Sequence, residues 1–276
     1  MTLKKQSNFP VLYREIKQSH SLENNREKKK TYRVKPNLSR KLLQQIPLSK
    51  NCMQILLGGL LGDGHLSRTK GYNNARYQIR HSISQQEYFQ WKINQLQEIS
   101  TSKSVQLQKP DGWSCKNKFH FMSKACTECT SILNITHSKN RLHIKRQWLN
   151  HLEPLGLAVW WFDIGSIISK GNQGVFCTDG LKKKDVLILQ RYLDVVWHVR
   201  PSIRQSNLSY RLALSKTQLQ AFLYIISPHV PCKSMLYKIK IVYKKTDSLQ
   251  RWISHLMQLY PEWHQAILKM YDQELH

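Results

Sequence analysis

The chain has 276 residues and carries 43 Lys and Arg against 17 Asp and Glu, a formal net charge of +26 and a pI near 10. So positive a balance disfavours an enzyme acting on a cationic small molecule and points to a polyanionic partner, nucleic acid first and an anionic membrane surface second. The 41% hydrophobic content and the aromatic residues (8 Trp, 12 Tyr and 7 Phe) suffice for a core, so general disorder does not fit, and the length suits one large domain or two small ones.

No run approaches the roughly 18 apolar residues of a transmembrane helix, so no membrane partner is expected. The N-terminus has Lys4 and Lys5 but no apolar stretch after them, unlike a secretory signal. Six cysteines (52, 115, 126, 129, 177 and 232) are scattered through a chain too large to need stapling, which suggests a reducing compartment.

Residues 1–50 hold 13 Lys and Arg against three Glu, a net charge of +10, with weak apolar periodicity before Leu42. They read as a basic arm, either a solvated tail or a segment that neutralises phosphates and orders on binding. Glu15, Glu23 and Glu27 make it a poor transit peptide.

From residue 51 the texture changes. An apolar, glycine-rich helix over Met53–Leu61 ends in Gly62-Asp63-Gly64. Gly58 and Gly62 are four apart, on one face, where the lack of side chains lets a second helix approach closely. Gly64 is expected to supply a left-handed stop. Asp63 then falls at the helix's negative end, an unfavourable place for a carboxylate unless a cation such as Mg²⁺ and phosphate oxygens share the site.

Residues 75–83 alternate with period two, placing Arg76, Gln78 and Arg80 on one face and Tyr77, Ile79 and His81 on the other, a half-buried strand with a basic outer side. An amphipathic helix follows over Glu87–Ile99, with Phe89, Ile93 and Leu96 on its apolar stripe. A strand pair comes next, Val105–Lys109 and Lys118–Met122, around the Pro110-Asp111-Gly112 turn signal. Ala125–Ile135 is a further predicted helix.

The order then repeats about a hundred residues on. Leu157–Gly165 is apolar, Gly174–Asp179 strand-like, Asp185–Trp197 an amphipathic helix, and Val199–Arg204 with Tyr210–Leu214 a second strand pair around Ser206-Asn207. Ser215-Lys216 opens the helix Gln218–Ile226 as Ser123-Lys124 opens Ala125–Ile135. Two copies suit a pseudo-two-fold dimer fused into one chain. Leu249–Leu275 adds one or two helices, with Trp252, Leu256, Leu259 and Trp263 on an apolar stripe.

The segment Leu56-Leu57-Gly58-Gly59-Leu60-Leu61-Gly62-Asp63-Gly64 resembles the signature of the LAGLIDADG homing endonucleases and intron maturases, and the layout over about residues 50–245 resembles their single-chain, two-repeat members. The resemblance implies an α+β fold of two pseudo-symmetric αββαββα repeats, with antiparallel saddle-shaped sheets and a central pair of motif helices. The corresponding parts are a basic arm (1–50), a first repeat (51–150), a second repeat (151–248) and a C-terminal helical extension (249–276). It also implies a monomer with an internal two-fold, a divalent metal (Mg²⁺), a partner that is a double-stranded DNA target site or intron RNA, and, since such proteins are mostly organelle-encoded, a mitochondrial or chloroplast location.

By the same resemblance Asp63 matches the metal-binding acid at the eighth motif position. The second motif, Leu157-Ala158-Val159-Trp160-Trp161-Phe162-Asp163-Ile164-Gly165, has Ile164 there, and Asp163 matches the seventh position. One residue along a helix is a rotation of about 100°, so Asp163 is expected to point away from Asp63 and the second half-site reads as broken, unless the helix end unwinds enough to bring Asp163 in. Lys238 matches the family's second-half lysine. Its first-half counterpart aligns with Leu142, near Arg141 and Lys145. Arg76, Gln78, Arg80, Arg200, Arg204 and Arg211 lie on strand-like segments and are side-chain types that read base edges in the major groove. Trp160 and Trp161 read as helix packing. Lys182-Lys183-Lys184 contacts a nucleic-acid backbone or faces water. The lone Cys126-Thr-Glu-Cys129 is a weak zinc candidate because no second pair answers it.

Two functions compete. One is a metal-dependent endonuclease cutting DNA at an intron-insertion site, which the intact Asp63 and Lys238 favour. The other is a maturase that grips intron RNA without cutting DNA, which Ile164 and the missing first-half lysine favour. A decaying mobile-element reading frame is a plainer third reading.

Overall fold

A computed structural model describes residues 43–110, 116–139, 141–169, 171–206, 209–243 and 246–275. Most of the basic arm, residues 1–42, lies outside the described residues, as do Asp111, Gly112 and Asn207 of the two expected turns.

Helix α1 (Lys50–Leu61) starts at Ser49, whose hydroxyl accepts the Cys52 N–H, and is buried along nearly its whole length. It feeds β1 (His65–Ser67), β2 (Arg76–Ser82), α2 (Gln86–Gln95), β3 (Val105–Gln108), β4 (Lys118–Met122) and α3 (Thr127–Thr136). A two-stranded ribbon, β5 (His137–Ser138) with β6 (Arg141–Leu142), and the short α4 (Arg146–Leu149) lead to α5 (Pro154–Ile164), the second central helix. It feeds β7 (Gly165–Ile168), β8 (Gln173–Phe176), α6 (Lys183–Trp197), β9 (Ser202–Ser206), β10 (Ser209–Leu214) and α7 (Lys216–Ile226). A 3₁₀ segment (Lys233–Ile239), α8 (Thr246–Leu259) and α9 (His264–Leu275) complete the described chain.

The two halves share one topology. Their four-stranded antiparallel sheets run in the orders β1-β2-β4-β3 and β7-β8-β10-β9. This is the expected α+β arrangement of two αββαββα repeats; within it β1 and β7, directly after the central helices, are strands that three- and four-residue runs do not announce by periodicity. Alternation in β2 is as expected, with Tyr77, Ile79 and His81 buried and Arg80 exposed. Trp160 and Trp161 are both fully buried, Trp160 stacking on Phe176 at 4.3 Å. No helix among the described residues is long and apolar enough to cross a membrane.

The central pair α1/α5 depends on missing side chains. A Cβ on Gly58 would overlap the Gly156 carbonyl oxygen and lie 2.9 Å from Val159 Cβ. At the other end of the crossing, a Cβ on Gly62 would overlap the Asp163 Cβ and lie 2.8 Å from its Cγ. At the helix starts, buried Gln54 of α1 donates to the His151 carbonyl (2.8 Å) and accepts the Glu153 N–H (2.9 Å), binding the entry of α5. Close approach is therefore fixed by packing on one side and by satisfied hydrogen bonds on the other.

Gly58→Leu therefore forces the helices apart, and its denaturant midpoint is expected to fall by a stability loss of about 3 kcal/mol, at the top of the overpacking range. Gln54→Leu, which strands two backbone groups, is expected to cost about 1–3 kcal/mol in the same measurement.

Candidate metal and nucleic-acid site

The two motif helices end differently, and that difference builds the site. Helix α1 stops at Leu61. Gly62 caps it, and the Gly62 and Gly64 N–H groups both return to the Gly59 carbonyl, at 2.9 and 2.7 Å. Gly64 does not take the expected left-handed conformation. Among the described residues the glycines at positive φ are Gly71 and Gly171, and Gly64 is needed because a Cβ there would collide with the Tyr77 hydroxyl. Asp63 thus lies beyond the helix, in the turn to β1. Helix α5, in contrast, continues through Asp163 to Ile164.

This corrects the expectation that Asp163 points away from Asp63. It is the first helix that unwinds, not the second, and the space over Gly62 lets the Asp163 side chain cross the interface. Asp163 Oδ2 accepts the Asp63 backbone N–H at 3.1 Å, and ligand-type atoms of Asp63, His81 and Asp163 all lie within 4.8 Å of one another.

The two carboxylates have unlike surroundings. The Asp63 side chain is 38% exposed, and no donor among the described residues hydrogen-bonds its carboxylate; His81 Nδ1 stands 3.9 Å off. Burial, then the neighbouring Asp163, push its pKa up to about 6, against weaker opposing pulls from Lys92 and Lys238. The Asp163 side chain is fully buried. Its Oδ1 takes the Lys92 ammonium at 2.5 Å and the Tyr88 hydroxyl at 2.6 Å.

Lys92 and Tyr88 come from α2 in the first half, and both are wholly buried. Motif reasoning does not single out Lys92, although a signal exists: it stands three residues after Phe89 and four after Tyr88, inside the apolar stripe where a lysine does not belong. His81, on the inward face of β2, is 3.3 Å from the Lys92 ammonium, and burial followed by that cation push its pKa down to about 4.

Lys238 joins the same centre from the 3₁₀ segment. Its ammonium donates to the Gly165 carbonyl at 2.6 Å, capping the C-terminal end of α5, while the Trp161 indole N–H holds the Lys238 carbonyl at 2.8 Å. Burial lowers its pKa, and Asp163 and Asp63 pull it back up. Leu142 is half-buried on β6, with exposed Arg141 before it and exposed Lys145 after it. The cations acting on Asp63 are Lys92 and Lys238.

A divalent cation fits at Asp63, which offers a hard, partly exposed carboxylate free of protein donors, raised in pKa as an acid awaiting a counter-charge is. At Asp163 the fit is poor, because an ammonium already holds that carboxylate. Ile164 packs against the core and offers no ligand atom.

The outer sheet faces carry the remaining sequence candidates. In the first half His65, Arg76, Gln78 and Arg80 share a face with His120 and Lys118 by strand register. Arg76 donates to the Ser123 carbonyl, Gln78 to the Ser67 hydroxyl, and Arg80 is exposed. In the second half Arg204 and Arg211 are directly opposed across β9 and β10, a like-charge pair that an anion would relieve. Arg204 reaches Gln173 and Arg211 is paired with Asp179. Arg200 is not on a strand. It sits in the loop before β9 and pairs with Asp194 of α6, because the backbone stays irregular until Ser202. Lys182, Lys183 and Lys184 are all exposed at the start of α6. Cys126 caps α3 and Cys129 is in its first turn, without further ligands among the described residues.

Comparison with known proteins bears on the family and the fold. Residues 53–222 match the model of the LAGLIDADG DNA endonuclease family. The chain is 28% identical over 214 residues to a protein named RecA from Mycobacterium gastri, covering 72% of this chain and 49% of that one. It is 25% identical over 206 residues to the cytochrome b mRNA maturase bI2 of Saccharomyces cerevisiae, covering 70% and 48%. It is 21% identical over 214 residues to the DNA endonuclease I-ChuI of Chlamydomonas applanata, covering 70% and 95%. The chain spans about half the length of the first two of these relatives. The fold matches that of the homing endonuclease I-WcaI bound to its DNA recognition sequence, with a TM-score of 0.64, 19% identity and coverage of 76% and 96%. With its two central helices, paired sheets and a family match across more than half its length, the chain belongs to the LAGLIDADG DNA endonuclease family.

Proposed function

We propose that this chain is a monomeric, sequence-specific DNA endonuclease that hydrolyses a phosphodiester bond at an intron-insertion site with a divalent cation, Mg²⁺, at Asp63, and that it cuts one strand. The observation that carries this reading is the Asp63 carboxylate. It is unclaimed by any donor among the described residues, and it stands just past the C-terminal end of α1, within electrostatic reach of Lys238 from the 3₁₀ segment.

The roles follow from position. The Asp63 carboxylate would hold the cation, which supplies Lewis acidity for the scissile phosphate. Lys238, fixed through its ammonium to Gly165 and through its carbonyl to Trp161, is preorganised to stabilise charge developing on that phosphate. Arg76, Gln78 and Arg80 on one sheet and Arg204 and Arg211 on the other would bind the duplex on either side of the helix ends. Arg200 would contact backbone phosphate from its loop. Ile164, standing where a second acid would be needed, is the reason for one strand and not two.

A second reading rests on that same Ile164: an intron RNA maturase that assists splicing without cutting DNA. A cytochrome b mRNA maturase among the relatives supports it. A mitochondrial or chloroplast location accords with either activity.

Selection of duplexes from a randomised pool with the full chain, without added metal, identifies the preferred site. A supercoiled plasmid carrying that site, incubated with Mg²⁺, is expected to relax to the open circle. Asp63→Asn is expected to slow this by at least about a hundredfold while binding the plasmid as the wild type does. Lys238→Met is expected to lose about 10²–10³ in rate. Linear plasmid from the wild type would refute one-strand cutting. Absence of any product, with faster splicing of the host intron RNA, would replace the nuclease with the maturase.

Binding itself has a separate readout. Arg76→Ala and Arg80→Ala are each expected to reduce the slope of log K against log salt by about one for each phosphate that the arginine neutralises. A slope unchanged in both would remove this face from the interface.

A further inference from the structure

We propose that Lys92 stands in for a metal ion on the Asp163 side of the site, so that the protein takes a single divalent cation, at Asp63, and Asp163 serves as a positioning residue for Asp63. This rests on the reading of Asp63 as the metal-binding acid and concerns what the other half of the site contains instead.

By composition, Asp63, His81 and Asp163 resemble a metal site, with ligand-type atoms within 4.8 Å. Three features close it. First, the Lys92 ammonium is itself wholly buried and fully engaged. It has Asp163 Oδ1 at 2.5 Å, His81 Nε2 at 3.3 Å and the Tyr88 ring centroid at 4.7 Å. Its charge has no route to water, and a second cation beside it would be repelled at close range in a medium of low dielectric.

Second, the hydrogen-bond network consumes both ring nitrogens of His81. With Nε2 accepting from the ammonium, Nδ1 carries the proton and donates to Gln85 Oε1 at 3.2 Å, so neither is free as a ligand. Third, the Asp163 carboxylate has three donors, the ammonium, the Tyr88 hydroxyl and the Asp63 N–H. The last of these is the positioning contact. Asp163 holds the backbone of the very residue whose side chain faces solvent, and it does so from the opposite half of the molecule.

Lys92, Tyr88 and His81 therefore form a socket in the first half for an acid from the second. The ion pair crosses the central interface where Gly62 leaves room, and it fixes the turn that presents Asp63.

The test is a double-variant cycle read by thermal unfolding of the full chain, with and without millimolar Mn²⁺. Lys92→Met leaves a bare buried carboxylate and Asp163→Asn a bare buried ammonium, and each is expected to lower Tm by on the order of 10 °C without metal. The double variant Lys92→Met/Asp163→Asn removes both charges and keeps an acceptor for the Asp63 N–H, so it is expected to recover most of that loss. Mn²⁺ is expected to raise the Tm of Lys92→Met more than that of the wild type, because the metal can then occupy the vacated ammonium position. Wild type and double variant are expected to respond to Mn²⁺ alike.

A Mn²⁺ response in the wild type that the double variant loses would overturn the proposal, as would a fully additive cycle. Should Lys92→Met fail to fold, the double variant against the wild type decides. For positioning, Lys92→Met/Asp163→Ala, which removes the acceptor, is expected to lower kcat for plasmid relaxation by about tenfold or more relative to the Asn double variant with KM unchanged. Equal kcat would remove that role. The unfolding and Mn²⁺ measurements need no DNA, so their failure leaves the nuclease reading standing, and a failure to relax plasmid leaves the ion pair standing.

Discussion

Everything at the centre of this molecule follows from how closely two helices approach. Gly58 on α1, Gly62 at its cap and Gly156 on α5 have no side chains where the helices cross, and the Cβ positions they lack are taken by the Gly156 carbonyl with Val159, by Asp163 and by Gln54. Because the helices approach this closely, their C-terminal ends fall side by side, and each end leads straight into the first strand of its own sheet. The site is therefore a consequence of helix packing, and both sheets take their place from the same crossing.

That closeness imposes an electrostatic demand. A carboxylate entering the crossing at Gly62 is cut off from water, and an isolated buried carboxylate is too costly to persist unpaired. The first half answers with a lysine from α2, itself too buried to persist alone. Each charge makes the other tolerable, and because the two belong to different halves, the pair also ties the pseudo-two-fold together. Asp63, in the adjoining turn and partly exposed, has its pKa raised first by burial and then by the neighbouring Asp163. One acid is satisfied by the protein, and the other is unclaimed by any donor among the described residues, as the proposed cation site requires.

Much of this is legible in the residues. The glycine spacing in Leu56–Gly64 announces a close helix pair, the alternation of residues 75–83 marks β2 with its basic face, and the recurrence of one element order marks the two sheets. What escapes is three-dimensional in origin. The strands β1 and β7 are too short for periodicity and exist because a neighbour pairs with them. The direction of Asp163 depends on which of two similar helices unwinds first, and nothing local to either motif decides that. Arg200 reads as strand because it lies inside the Val199–Arg204 run, yet the ladder with β10 begins only at Ser202. Lys92 is hidden by the habit of counting apolar positions along a helix face: Phe89, Ile93 and Leu96 define the stripe, and a lysine within it is informative because it violates the pattern.

The resulting molecule is symmetric in architecture and asymmetric in chemistry. Strand order is the same in both sheets, and each presents polar and basic side chains outward, so the proposed nucleic-acid contacts are duplicated. The helix ends are not: one offers an open carboxylate, the other an isoleucine and an acid already neutralised from within. Binding depends on many dispersed groups and survives the removal of one, whereas phosphodiester chemistry depends on a few atoms and does not. A two-fold scaffold can therefore lose the chemistry of one half while keeping the grip of both. The ion pair, which on the proposed reading stands where that chemistry would be, preserves the packing of the two halves, since removing the acid without a substitute would strand Lys92, and removing Lys92 would strand the acid.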